Sequence, residues 1–278
     1  MHKLGVLIGV SGTTNVSEKM KRAKEIGCEC CQICIWNPAD YTEEKAEEIL
    51  AAAKESGLEI STLWAGWSGP SVWDFTQGPS TLGIVPEAFR MKRTEELLQG
   101  IAFAARLGVP RVATHAGFWP ENKNDPRFDD VVAILRYIVR ECEEKGVSFL
   151  FETGQETPVA LLRIIQAIGS ENVGINLDTA NLILYGKANP VDAIYQFGSL
   201  LKELHIKDGK YPTDPYQLGR ETKIPEGDVD FPGVVKALAD IGFQGVMTIE
   251  CELGGDNSEY VVKTKKYLED LVKKSYKK

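Results

Sequence analysis

Glutamate, aspartate, histidine and glutamate close four apolar runs in the second half of the chain: Glu152 after VSFLF, Asp178 after VGINL, His205 after LKEL and Glu250 after VMTI. An unpaired charge behind such a run is costly, so each of these groups demands a partner. Carboxylate oxygens with a single imidazole nitrogen suit one divalent ion of the manganese, magnesium or cobalt type, with zinc as an alternative. A sugar carrying adjacent carbonyl and hydroxyl oxygens can chelate such an ion. The ion then polarises the carbonyl and stabilises an enediolate, while carboxylates from separate strands move the proton on different faces of the sugar. Each residue also has a plainer use alone: Asp178 precedes Thr179 and can cap a helix, and a lone His in an apolar strand is often a satisfied core residue.

Subtracting the residue numbers gives intervals of 26, 27 and 45 residues. The first two fit one strand plus one helix, and the third fits such a unit with a long loop. Period-two patterning predicts strands at Leu4–Val10, Cys30–Trp36, Glu59–Ala65, Arg111–His115, Ser148–Glu152, Gly174–Asp178, Glu203–Lys207 and Gly245–Glu250. Amphipathic stretches between them, such as TEEKAEEILAAAKESG and TPVALLRIIQAIG, read as helices stopped by Gly. Alternation of this kind implies parallel strands with right-handed crossovers, and eight is the number with which a barrel closes. The fold class expected is α/β, a single (β/α)8 TIM barrel over residues 1–278. In that fold the strand carboxyl ends meet at one mouth, where the four residues would converge. An open doubly wound sheet is the rival, but SGTTNVS after the first strand lacks the dinucleotide glycine spacing. Residues 66–86 and 209–230, rich in Gly, Pro, Trp, Tyr and Asp, read as lids or substrate walls.

The formal net charge of −8 argues against a nucleic-acid partner. No apolar run approaches the roughly 20 residues that span a bilayer, so no membrane role is expected. The amino-terminal stretch lacks the regions of an export signal, and a cytoplasmic location follows as the expectation. Six cysteines then read as reduced thiols. Within CECCQICIW, strand alternation would turn Cys31 away from Cys28, Cys30 and Cys34, which favours core packing over a thiolate metal site. The lysine-rich segment from Lys263 onward reads as a final amphipathic helix with a solvated face. Pairing of copies into a homo-oligomer stays open, because no single stripe marks an interface.

The segments FLFETG, GINLDTANLILYG, LKELHIKDG, PEGDVDFPGVVKAL and MTIECE together resemble the xylose isomerase-like barrel superfamily, and the likeness spans essentially the whole chain. Resemblance to its ketose 3-epimerase branch implies that Glu152, Asp178, His205 and Glu250 hold the metal and that Glu152 and Glu250 exchange the proton. The chain departs from that branch where a substrate-contacting His is expected three residues after the metal Asp, since Asn181 stands there. The substrate-binding Arg that follows the metal His has Lys207 as its nearer counterpart, with Arg220 further along. The endonuclease branch uses many more His ligands, whereas this chain has only three His.

Further substrate contacts are expected from His115, at the end of the fourth strand, and from Lys207, on the face of His205. Trp36, Trp64 and Trp67 end two strands where rings can stack on a sugar, with core packing as the plain alternative. Glu252 shares the face of Glu250, and Glu156 can bind a substrate hydroxyl or, as the leading expectation, cap the helix that begins near Thr157. The leading expectation is a divalent-metal-dependent isomerase or epimerase of a small sugar or sugar derivative. The alternatives are a metal-dependent dehydratase or lyase acting on an oxidised sugar or glycoside, and a sugar-binding barrel without turnover.

Overall fold

The computed structural model describes residues 2–276. Strands β1 (Lys3–Val10), β2 (Cys30–Ile35), β3 (Glu59–Ala65), β4 (Arg111–Thr114), β5 (Ser148–Glu152), β6 (Val173–Asp178) and β7 (Leu201–Ile206) precede a short hairpin of β8 (Asp208–Lys210) and β9 (Arg220–Thr222), and β10 (Val246–Ile249) follows. Leaving the hairpin aside, the strands close a barrel in the order β1-β10-β7-β6-β5-β4-β3-β2. Every neighbouring pair in it is parallel. The expected TIM barrel is the fold observed.

Helices α1 (Val16–Glu25), α2 (Glu43–Ser56), α3 (Gly78–Thr81), α4 (Glu87–Arg106), α5 (Pro126–Glu144), α6 (Pro158–Ile168), α7 (Thr179–Leu184), α8 (Pro190–Phe197), α9 (Phe231–Asp240) and α10 (Ser258–Ser275) supply the crossovers and additional turns. Their ends follow from sequence. Helix α6 starts where the Thr157 hydroxyl accepts from the Ala160 N–H with Pro158 in the first turn, and it stops at Gly169, whose φ of 72° is a left-handed value favoured by glycine. Glu156 stands one residue outside that cap. It is buried without a capping bond, so the expectation that it caps the helix is corrected: Thr157 already meets that need. Helix α10 buries Tyr260, Val261, Thr264 and Leu268 and leaves Lys263 in solvent, as its amphipathic pattern requires.

Outward-facing strand residues such as Ile33, Ile35, Phe149 and Ile175 pack under the helices in one continuous core. Cys31 lies in it, and so does Cys28, which precedes β2 and therefore does not follow the strand alternation assumed for it. Cys34 instead packs with Trp64, Trp67, Leu82, Ala113 and Leu150. Burial pushes the Cys28, Cys30 and Cys31 thiols up, which is the behaviour of packed rather than ligating sulfur. No helix among the described residues is long and apolar enough to cross a membrane.

Two register irregularities shape the interior. Opposite Cys31 and Gln32, β3 holds Ser61 as an extra residue, and opposite Ile175 and Asn176, β7 holds Lys202. Such bulges re-aim the side chains that follow. Beyond the second one, Asn176 stands beside Glu203 and Asp178 beside His205.

Candidate active site

The four residues meet. Glu152, Asp178, His205 and Glu250 are buried, and each offers one ligand atom within 4.8 Å of the others. Glu152 and Asp178 are the last residues of β5 and β6, His205 is one residue from the end of β7, and Glu250 follows β10. His205 Nδ1 lies 3.0 Å from Glu152 Oε1 in a hydrogen bond and 3.1 Å from Glu250 Oε2. Trp64 Nε1 donates to the other oxygen of Glu152. Asp178 serves two ends: Oδ1 accepts the Asn181 N–H at 2.8 Å and caps α7, while Oδ2 points into the cluster.

Lys207 Nζ sits 3.0 Å from Asp178 Oδ2 and 3.1 Å from both Glu250 Oε2 and Glu252 Oε2. Only the contact with Glu252 has hydrogen-bond alignment, so Asp178 Oδ2 and Glu250 Oε2 are buried oxygens in ion-pair range of a cation but without an aligned donor. Two such oxygens, a third carboxylate and an imidazole nitrogen form a donor set suited to a divalent ion. The residues therefore fit the metal that the sequence led us to expect.

Burial opposes ionisation of every group here, and the neighbours decide the outcome. It raises Asp178; Lys207 works against that, but the Glu250 and Glu152 charges add to it, and the carboxyl stays well above its usual range. Burial also acts to raise Glu250, yet the Lys207 and His205 charges outweigh it and hold this carboxyl well below. For His205 burial acts downward, but Glu152 and Glu250 lift the imidazole well above 6.5.

Around the cluster opens a cavity of about 560 Å³ lined by Trp36, Trp64, Trp73, His115, Asn181 and Lys207 together with ligand carboxylates, Tyr185, Glu252 and backbone at Gly9. Trp36 stacks on Trp64 at 5.1 Å between centroids. His115 Nε2 is 3.5 Å from Glu152 Oε1, and Trp73 meets the imidazole edge-on at 5.4 Å. Asn181 Nδ2 reaches Thr153 O at 3.3 Å and Glu152 Oε1 at 3.5 Å. Two expected contacts lie elsewhere. Trp67 is packed behind Trp36 with the Arg93 guanidinium 5.5 Å from its ring, and Arg220 is an exposed residue of β9, so neither lines the cavity.

The sequence reading missed Trp73 and Tyr185, which no strand end announces, and Gln32, which strand alternation with Cys30 and Cys34 could have placed inside the barrel. Beside β2, the strand that runs into Trp36, the wall is nearly bare: β1 contributes Leu7 and Gly9, and a Cβ on Gly9 would meet nothing within 4 Å.

The closed barrel is matched by kinship. The chain belongs to the xylose isomerase-like TIM barrel family, whose model covers residues 20–271. Among curated relatives, an uncharacterized protein of Methanocaldococcus jannaschii is 28% identical over 67% of this chain and 64% of its own length. Inosose dehydratase of Clostridium tetani is 21% identical over 52% of this chain and 55% of its own. The chain thus spans less than two thirds of either relative. A putative hydroxypyruvate isomerase of Homo sapiens is 24% identical over 78% of both chains. Among solved structures, a xylose isomerase domain protein from Planctomyces limnophilus superposes with a TM-score of 0.91 at 28% identity, over 99% of this chain and 98% of that one. The 3-keto-D-glucoside 4-epimerase of E. coli does so at 0.74 and 19%, over 97% and 100%. A family member from Mycobacterium smegmatis in complex with magnesium reaches 0.70 and 16%, over 99% and 98%; these last two likenesses speak for the fold alone.

Proposed function

We propose that this protein is a divalent-metal-dependent isomerase or epimerase of a small sugar or sugar derivative, moving a proton at the carbon next to a carbonyl. The observation that carries the reading is the buried Glu152–Asp178–His205–Glu250 set at the barrel mouth. Those four residues would hold the ion, with manganese, magnesium or cobalt favoured over zinc by three carboxylates against one imidazole. A bound divalent ion supplies polarisation of the substrate carbonyl and stabilisation of the charge that develops on its oxygen.

The chain's own residues do the rest. Glu152 and Glu250 come from separate strands at the two ends of one arc of the barrel wall and serve as proton acceptor and donor for the two faces of the substrate. Trp64, donating to Glu152, holds one of its oxygens in place and leaves the other, which faces His205, Asn181 and His115, to exchange the proton. His115, Asn181 and Lys207 offer polar groups to substrate hydroxyls, and Trp36 offers an aromatic face to a sugar ring. The burial of all four ligands limits competing water around the reacting carbon. Free thiols throughout suit a cytoplasmic setting.

Incubating manganese-loaded protein with a panel of ketoses in deuterated water tests the proposal: solvent deuterium should enter at a carbon beside the carbonyl. Absence of exchange with every sugar overturns it. Glu152→Gln and Glu250→Gln should each slow the exchange by about 10²–10⁴-fold, the usual contribution of a positioned acid or base.

One observation favours a second reading. Asn181 stands 3.5 Å from Glu152 Oε1, where an amide orients the carboxylate but does not titrate near neutrality, and a relative bears the name inosose dehydratase. Proton abstraction followed by loss of a β-hydroxyl or glycosidic oxygen would use the same base. An unsaturated product in place of an epimer distinguishes the two.

A further inference from the structure

A TIM barrel interior is ordinarily filled by branched apolar layers. Here Gln32, Asn176 and Glu203 are fully buried beneath the mouth, and they are linked. Gln32 Oε1 is 2.7 Å from His205 Nε2. The amide nitrogen of the same side chain is 2.6 Å from Glu203 Oε2 and 3.3 Å from Asn176 Oδ1. Glu203 Oε1 in turn accepts from Arg111 Nη1 at 3.0 Å, at the end of the barrel away from the mouth.

We propose that Gln32 is a positioning residue that holds the His205 proton on Nε2 and so presents Nδ1 to the metal, and that Glu203, anchored by Arg111, decides which way the Gln32 amide faces. The inference rests on the four-residue set being a metal site. Its logic runs upward from Arg111. A carboxylate paired with a guanidinium accepts and does not donate, so the amide N–H groups of Gln32 must face Glu203. The amide oxygen is then left for the imidazole. That oxygen only accepts, so His205 must carry hydrogen on Nε2, and in the neutral ring the lone pair falls on Nδ1. Nδ1 is the nitrogen that lies 3.0 Å from Glu152 Oε1, 3.1 Å from Glu250 Oε2 and 4.0 Å from Asp178 Oδ2. Both register irregularities of the barrel fall beside this network, opposite Gln32 and Asn176, and the second brings Glu203 level with Asn176. A buried polar chain is costly where its members are unpaired, and here the links from Arg111 through Glu203 and Gln32 run to a single ring nitrogen, with Asn176 Nδ2 left without a partner.

The test uses the full chain. Its histidines are only three, which makes side-chain ¹⁵N NMR of the magnesium-loaded protein assignable with one His205→Asn control. The expected spectrum shows His205 protonated on Nε2 and bare on Nδ1; the reverse tautomer overturns the proposal without any variant having to fold. Gln32→Leu should weaken manganese binding, read by calorimetry, by about 10–100-fold, the usual loss when an outer partner of a ligand is removed. The reciprocal exchange Q32E/E203Q keeps an acceptor for Nε2 and a donor between the two positions, and should restore affinity to within roughly threefold. Unchanged affinity in Q32L, or no rescue in a folded double variant, counts against Gln32 alone. Failure of the wild-type chain to bind either ion removes the metal site itself, and the two failures are therefore distinguishable.

Discussion

Asp178 and His205 hold the key to how the site meets an ion. Both groups sit well above their usual ranges, so binding an ion competes with holding a proton at each of them. Metal uptake is therefore expected to release protons and to weaken as pH falls. Calorimetry in buffers of different ionisation enthalpy counts those protons. Glu156 gives a separate, metal-independent prediction. Burial pushes its carboxyl up to about 8, with Oε1 unpartnered. The unfolded chain ionises near the ordinary carboxylate value, so between about pH 4.5 and 8 it binds fewer protons than the native state and stability declines as pH rises. Glu156→Gln should flatten that decline in urea titrations, by an amount on the order of 4 kcal/mol at its upper end. Of these residues the sequence exposed Asp178 and His205 because strand periodicity fixes where strands end and barrels gather those ends. It hid the state of Glu156, because a polar residue in a polar loop gives no sign of lying beneath other loops.

At the scale of elements, the wall of the mouth depends on one buried guanidinium. Arg93 of α4 donates to the carbonyls of Thr81 and Gly83 at 2.7 Å, of Pro70 at 2.8 Å and of Ser68 at 3.1 Å, while lying over the Phe89 ring at 4.6 Å. It thereby ties down residues 66–86, the segment that carries Trp67 and Trp73. The same segment is joined to the loop after β7 by a bridge between Asp74 and Gln217 and by the Phe75 N–H to Tyr216 O at 3.2 Å. That second loop is itself knotted by Asp208, whose carboxylate accepts from Gly209, Gly227 and Val229. Composition marked both segments as lids or walls; the contacts describe a braced wall. Arg93→Lys should cost about 1–3 kcal/mol for each carbonyl left unpaired and open residues 66–86 to protease, with the barrel helices still protected. Helical periodicity could not announce this role, since an arginine beside Lys92 reads as part of a solvated face. The hairpin of β8 and β9 was likewise invisible, because three-residue strands give too short an alternation to read.

For the whole molecule, the ligand set joins β5, β6, β7 and the end of β10, elements that lie far apart in sequence but share one arc of the barrel. An ion bound only by the closed barrel must stabilise it. At a free concentration of 100 times Kd the gain is about 2.7 kcal/mol, enough to raise Tm by roughly 5–10 °C, and a chelator should reverse it. Asp178→Asn keeps an oxygen to cap α7 but surrenders the ligand charge, so its melting temperature should respond little to added metal. The eight-strand plan was readable because each strand ends in a recognisable turn and each crossover fits one helix. The two bulges were not, since one extra residue in a strand leaves no mark on composition. The bare sector at Gly9 has its own consequence. Because β1 brings only Leu7 and the bare Gly9 to the cavity and a Cβ on Gly9 would meet nothing within 4 Å, a single codon change there can narrow or reshape the vestibule while leaving the acidic crown untouched. Descendants of this chain have in that position an inexpensive dial for guest size, one that turns independently of the chemistry.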